Sequence, residues 1–266
     1  MQNQSELQQC FNQDGYVLIK HFFTEDEIVK LIADIKETSD TKTEADILDV
    51  GNLQFHALLM HKSEKLRDFI SQPKIVEFLT KFMGPDIWVR WDQAVEKRPG
   101  AGTFPWHTDN SYSGLLDAHF QFWISLTKMT KENGGIWLMP GTHKKKINHT
   151  VDGNHTVAQI DGVEDTFIDA EIGDIVLFSS KLLHATTPNA TDHSRWAYVV
   201  EYMKADHIDP FIKPPYLMIA KDGKPALSYV DTLPSEKKLM NKLKYLKANL
   251  KGTTHKAKQK AHYLPY

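Results

Sequence analysis

The sequence predicts a mainly β fold with flanking α-helices, two antiparallel sheets packed as a jelly roll. Three observations carry this expectation. Residues 85–204 hold many short runs of aromatic and β-branched side chains separated by Gly, Pro, Asn and Asp; residues 1–84 carry helical periodicity; and no stretch rich in Pro, Gly or Ser divides the 266 residues. Many short strands with turn signals between them mark a sandwich or barrel, and helices ahead of them brace it. We therefore expect a single domain over 1–266, mostly helical over 1–84, with a jelly-roll core over 85–204 and a C-terminal extension over 205–266.

In chain order, "GYVLI" (15–19) reads as a strand and "TEDEIVKLIADIKE" (24–37) as a helix. Thr24 is a good N-cap with Glu27 at the capping-box position, and Ile28, Leu31, Ile32 and Ile35 share one face. "KLRDFISQPKIVEFLTKFMG" (65–84) is helical, broken at Pro73 and closed by Gly84. Strands follow in "DIWVRWDQAVE" (86–96), "AHFQFWISLT" (118–127), "GIWLMPG" (135–141), "TFIDAEI" (166–172), "DIVLFS" (174–179), "LLHATT" (182–187) and "RWAYVVEYM" (195–203). The tail from Ser235 places Leu239, Leu243, Leu246 and Leu250 on one face of a basic helix, which suits docking on the barrel, a dimer contact, a lid or an anionic partner.

Composition narrows the function classes. A hydrophobic content of 41% fills a core, and a formal charge of −2 gives no global pull toward nucleic acid or an anionic membrane. Cys10 is the sole cysteine, which excludes an intrachain disulfide and a thiolate metal cluster. Neither a signal-peptide pattern at the N-terminus nor a long apolar span is present. The expectation is a cytoplasmic protein, monomer or homodimer, acting on a small molecule, with no nucleic acid and no membrane span.

The chemistry is suggested by "FPWHTD". His107 and Asp109 stand two apart, so a strand would turn both to one face. Spacing alone does not decide, since 13 histidines leave about one His-x-Asp expected by chance and His207-Ile208-Asp209 is a second. His184 breaks the tie, because Arg195 lies eleven residues beyond it. A hairpin turning at "PNAT" (188–191) would set 184 opposite 195 and aim both into one cavity. Two imidazoles and one carboxylate leave coordination positions open, the pattern of non-haem Fe(II) oxygenases, and an arginine fork suits the far carboxylate of a keto acid. His207-Ile208-Asp209, followed by Pro210, has no such companion and reads as a loop. Two other classes stay open: an inactive jelly-roll binding module, and a cupin-type metalloenzyme that does not use 2-oxoglutarate.

At these residues the sequence resembles the phytanoyl-CoA hydroxylase-like Fe(II)/2-oxoglutarate-dependent dioxygenases. The resemblance spans roughly 10–204 and rests on "FNQDGYVLIKHFFTEDEI", "PWHTD", "ENGGIWLMPGTHK" (132–144) and the His184–Arg195 spacing. It implies a double-stranded β-helix with iron on His107, Asp109 and His184, and the 5-carboxylate of 2-oxoglutarate on Arg195. It further implies Gln93, Trp123, Thr186 and His56 near the cosubstrate, although Gln93 and Trp123 also suit ordinary barrel packing. O2 is the second cosubstrate, and succinate and CO2 are the coproducts. Asp109 argues for oxygenation, since halogenating relatives carry a small residue there. Trp91, Phe104, Trp106 and Tyr112 are candidates for an aromatic substrate pocket. Arg98 is a candidate for an acidic substrate group or a solvated loop arginine, beside a Gly100–Gly102 entrance loop.

Overall fold

A capping box between Asn3 and Glu6 starts helix α1 (Gln4–Asp14), and Gly15 ends it at φ 86°. Periodicity misses this helix because, of its residues, only Phe11 and Leu7 reach the core. The computed structural model describes residues 3–40, 47–153, 155–207, 209–234 and 243. After β1 (Tyr16–Ile19), α2 (Glu25–Asp40) begins as expected. The Thr24 amide donates to the Glu27 carboxylate and the Glu27 amide to Thr24 Oγ1, and Ile28, Leu31 and Ile35 are buried. A hairpin of β2 (Ile47–Val50) and β3 (Leu53–Ala57) leads into α3 (Leu59–Lys62), α4 (Glu64–Ile70) and α5 (Pro73–Met83). Pro73 takes the first turn of α5, where its missing N–H costs nothing, and Gly84 caps the end.

The strands continue as β4 (Ile87–Lys97) and β5 (Phe104–His107), then the short α6 (Asp109–Ser113), β6 (Phe120–Ser125), β7 (Ile136–Leu138), β8 (Asn148–Asp152) and β9 (His155–Gln159). They close with β10 (Thr166–Phe167), β11 (Ile175–Ser179), β12 (His184–Thr186), β13 (Arg195–Lys204), β14 (Tyr216–Lys221) and β15 (Lys224–Val230). The larger sheet runs β1-β11-β6-β13-β4-β14-β15, with β3, and β2 beyond it, also flanking β4; the smaller runs β10-β7-β12-β5. All pairings are antiparallel, and β8–β9 forms a separate hairpin.

Alternation divides the larger sheet into two faces. Ala94, Phe122, Ile124, Tyr198 and Val200 pack outward with Leu31, Leu66 and Ile75 of the helices. Val95, Trp123, Val176, Phe178, Ala197 and Val199 point inward against Ile136 and Leu138 of the smaller sheet. The result is the expected jelly roll braced by helices.

Two expectations are corrected. β12 and β13 do not pair: β12 lies between β5 and β7, and β13 between β4 and β6. Residues 187–194 instead carry the chain from one sheet to the other. Asn189 pins the crossing, its amide nitrogen donating to the carbonyls of Lys97 and His193. The extension also supplies sheet, since β14 pairs with β4 at Leu217–Val89 and Met218–Trp88. The basic helix expected from Ser235 lies outside the described residues, apart from Leu243. No helix among the described residues is long and apolar enough to cross a membrane.

Candidate active site

His107 closes β5, His184 opens β12, and the two are direct partners across that strand pair. Their ring centroids are 4.1 Å apart. Asp109 does not share a strand with His107. Thr108 is extended and Asp109 starts α6, so the turn into the helix brings in the carboxylate. Asp109 Oδ1 lies 3.6 Å from His107 Nε2 and 3.5 Å from His184 Nε2. One donor atom from each residue falls within 4.8 Å of the other two.

The backbone aims both imidazoles. His107 Nδ1 is 2.8 Å from the Pro105 carbonyl, and His184 Nδ1 is 3.0 Å from that of Leu182. A carbonyl can only accept, so each Nδ1 carries a proton and each Nε2 is the ring atom that would bind a metal. The second Asp109 oxygen, Oδ2, accepts from Gln121 Nε2 at 2.9 Å, which leaves Oδ1 for the shared point. Burial and the adjacent His184 push His107 down to about 4. Burial alone would raise Asp109, but His184 and His107 hold it well below the usual carboxylate range. Burial likewise opposes a charge on His184, and Asp109 raises it instead. Two nitrogens and one carboxylate oxygen with an open remainder suit Fe(II).

Arg195 lies on the facing sheet and is fully buried. Its guanidinium stands 5.5 Å from the Trp123 ring centroid and donates to the Gly134 carbonyl at 2.9 Å. Nε and the second terminal nitrogen are buried with no hydrogen-bond partner. Burial lowers the group to about 10, so it stays cationic at neutral pH. A buried cation with unmet donors fits a carboxylate ligand.

The family model "Phytanoyl-CoA dioxygenase (PhyH)" matches residues 11–197, a span that holds His107, Asp109, His184 and Arg195. The chain belongs to the phytanoyl-CoA dioxygenase family. By that membership it is a 2-oxoglutarate-dependent non-haem iron dioxygenase. It is similar to a probable alpha-ketoglutarate-dependent hypophosphite dioxygenase of Stutzerimonas stutzeri, 23% identical over 228 residues, 76% of this chain and 79% of that protein. It is also similar to methylphosphonate hydroxylase of Gimesia maris, 24% identical over 250 residues, 88% and 91% of the two chains. The crystal structure of the epimerase SnoN with Fe3+, alpha ketoglutarate and nogalamycin RO shares the fold, at TM-score 0.68 and 16% identity over 85% of this chain and 96% of that one.

Around the dioxygenase's triad, Phe104 meets the His107 ring edge-on at 4.7 Å and Tyr112 does so at 5.4 Å. Phe178 covers His184 at 4.9 Å. Thr186 sits two residues beyond His184, while Gln93 shares the inward face with Val199 and Trp123. Trp91 lies on that face opposite Glu201. Trp106 alternates away from His107 and joins none of these ring contacts.

Two placements, those of His56 and the Gly100–Gly102 segment, differ from expectation, and Arg98 takes the solvated alternative. His56 pairs with Ala94 and stacks on Trp196 at 5.5 Å, which puts it on the helix side of the sheet. Leu53, Phe55 and Ala57 hold the inward positions of β3. Arg98 is exposed and ion-paired with Glu96 at 2.9 Å, because its neighbour Lys97 takes the inward direction. The Gly100–Gly102 segment is tied down, with the Gly100 amide donating to Asn189 and Ala101 fully buried. The competing His207-Ile208-Asp209 splits as expected for a non-site: His207 bonds the Ala118 carbonyl, while Asp209 pairs with the Arg90 guanidinium at 2.5 Å.

Two polar residues escaped the reading of the sequence. Gln121 links Asp109 to a buried group in which it approaches Glu201 Oε1 at 3.1 Å, and Glu201 in turn bonds Arg90. Lys97 is fully buried beside Arg195. Strand parity was the available signal, since 121 alternates with Trp123 and 97 with Gln93.

Proposed function

We propose that this dioxygenase hydroxylates an unactivated C–H bond of a small organic substrate, with His107, Asp109 and His184 holding Fe(II) and Arg195 holding the distal carboxylate of 2-oxoglutarate. Bound there, the ion supplies the O2-dependent oxidation that turns 2-oxoglutarate into succinate and CO2. The observation that carries the reading is a cluster of two buried histidines on one sheet and a half-buried carboxylate at the start of α6, together with a buried guanidinium with unmet donors on the other sheet. Against an inactive binding module stands the complete set of donors. Against a metalloenzyme without 2-oxoglutarate stands Arg195, whose buried charge finds a neutral carbonyl as its hydrogen-bond acceptor.

The chain's own groups do the positioning. The Pro105 and Leu182 carbonyls fix both imidazoles, Gln121 fixes the carboxylate, and Phe104, Tyr112 and Phe178 keep water from the donors. Thr186 and Trp123 flank the Arg195 end. Trp91, Phe104 and Tyr112 supply an aromatic wall that suits a hydrophobic substrate bearing a polar anchor, drawn from acyl-CoAs, carboxylic acids, amino-acid derivatives or secondary metabolites. We place the whole chain in one such domain, cytoplasmic, with no nucleic-acid partner.

Adding 2-oxoglutarate to the anaerobic Fe(II) protein should produce the visible charge-transfer absorption of a keto acid on iron. A flat spectrum would sink the cofactor assignment. A succinate-release screen across the four substrate classes then identifies the substrate, and coupling to a fully polar, highly charged compound would refute the aromatic-wall reading.

A further inference from the structure

Behind the metal ligand Asp109, a chain of buried polar side chains runs from β6 to the loop after β13. Gln121 gives one side-chain N–H to Asp109 Oδ2 at 2.9 Å and the other to Glu201 Oε1 at 3.1 Å. Glu201 Oε2 is ion-paired with Arg90, whose Nε pairs with Asp209 at 2.5 Å. Gln121, Glu201, Arg90 and Asp209 are all buried. The loop is itself tied down, because Asp209 Oδ1 accepts from the Phe211 amide and His207 Nδ1 donates to the Ala118 carbonyl, both at 2.8 Å. The second His-x-Asp of the sequence, which joins no metal cluster among the described residues, thus supplies the far anchor of this chain.

The neighbours of Gln121 fix the direction of its amide. A carboxylate can only accept, so both N–H groups must point at Asp109 and Glu201. The cost falls on the amide oxygen, which is buried with no hydrogen-bond partner. A glutamine's last torsion is soft, and with Asp109 as its one acceptor the amide could turn to satisfy that oxygen. The second carboxylate removes this freedom. His119 packs the same corner, its Nε2 lying 3.2 Å from the amide nitrogen and 3.4 Å from Glu201 Oε2. Glu201 is aimed in turn by Arg90, which can only donate.

We propose that Glu201 is a positioning residue for the metal ligand Asp109, acting through Gln121, with Arg90 and Asp209 holding Glu201 in place. The assignment rests on the metal site proposed above. With Oδ2 kept on the amide, Asp109 presents Oδ1 alone to the point it shares with His107 and His184, where a free carboxylate could offer both oxygens. In Glu201→Gln the new amide must turn its oxygen to the Arg90 donors, which sets its nitrogen against that of Gln121. Gln121 then has to turn, and Asp109 loses its donor. Arg90 keeps Asp209, so the interior retains an ion pair.

Titration of the metal-free protein with Co(II), whose visible absorption reports its coordination number, tests this without turnover. Glu201→Gln should weaken Co(II) by roughly 10- to 100-fold, the range for groups that orient a metal ligand, and should alter the spectrum as Gln121→Leu does. In the Gln121→Leu background it should weaken Co(II) no further, because the link it acts through is already gone. Glu201→Asp keeps the charge and the pair with Arg90 but draws back from Gln121, and it serves if the glutamine variant does not fold. It should give a several-fold loss with the same altered spectrum. Wild-type affinity and spectrum in a folded Glu201 variant, or losses that simply add in the double variant, would overturn the role of Glu201. A wild-type protein that binds no Co(II) would instead bring down the metal site itself.

Discussion

Three consecutive residues of β6 divide the molecule's work. Phe122 points outward into a ring cluster with Phe22, Phe23, Phe78 and Tyr202 and is fully buried. Gln121 and Trp123, on either side of it, point inward to Asp109 and to the Arg195 guanidinium. The same division runs through β13, where Tyr198 joins the helix-side core and Arg195 meets Trp123 on the inward side. The outward face buries hydrocarbon and holds the helices, while the inward face buries polar and charged groups, among them a guanidinium with unmet donors. Stability and chemistry are thus interleaved one residue apart, and substitutions on the two faces should have separable effects.

The largest effect belongs to the ligands. His184→Ala should eliminate activity and iron binding while circular dichroism and the melting transition stay near wild type, because no neighbouring donor replaces an imidazole aimed by its own backbone. Turnover in that variant would overturn the triad. Arg195→Ala comes next. Stranding the distal carboxylate without its guanidinium partner should cost on the order of 3–5 kcal/mol, or roughly two to four decades in 2-oxoglutarate affinity. Iron affinity, measured separately, should hold.

Phe122→Ala examines the other face. Losing a fully enclosed ring should destabilise the fold by about 3–5 kcal/mol in chemical denaturation, yet the molecules that remain folded should bind 2-oxoglutarate with wild-type affinity. A cosubstrate defect there would mean that the two faces are coupled. A smaller inward effect is expected from Gln121→Leu, which removes the donor to Asp109 Oδ2. Metal affinity should fall by roughly 10- to 100-fold with little change in melting temperature, and an unchanged metal titration would show that Asp109 is held by α6 alone.

Much of this was legible in the sequence. The capping box at Thr24, the break at Pro73 and the strand runs follow from local rules that tertiary packing did not override, whereas the donors His107, Asp109 and His184 were picked out by a strand and a hairpin geometry that the fold replaces with a turn into α6 and a strand pair. What was not legible is which strands are neighbours. The "PNAT" segment carries turn residues, so a hairpin is the local reading, but β12 and β13 each have better partners elsewhere. His184 and Arg195 lie instead on the two facing sheets, each on strands with other partners. Lys97 and Gln121 share strand parity with Gln93 and Trp123, but were missed because a lone lysine or glutamine in a strand gives no reason of its own to apply that parity. The β14–β15 hairpin was hidden behind a Pro-rich approach that reads as loop.

His56 gives the most discriminating test, although the effect is the smallest. One residue of register decides whether it belongs to the site, because its neighbours Phe55 and Ala57 pair with Val95 and Gln93 on the inward face, while His56 itself pairs with Ala94. Its ring lies on Trp196, and the interplanar angle of 29° marks a stacked contact on the helix side. A cosubstrate ligand at this position would need the whole of β3 to slip by one residue, exposing Leu53 and Phe55 to the helices and breaking five pairings with β4. His56→Phe keeps an aromatic face on Trp196 and removes both ring nitrogens. The melting temperature should shift by only a few degrees, corresponding to about 1 kcal/mol or less, and the dissociation constant for 2-oxoglutarate should match wild type. A tenfold weakening with unchanged stability would place His56 on the inward face and require a different register for β3.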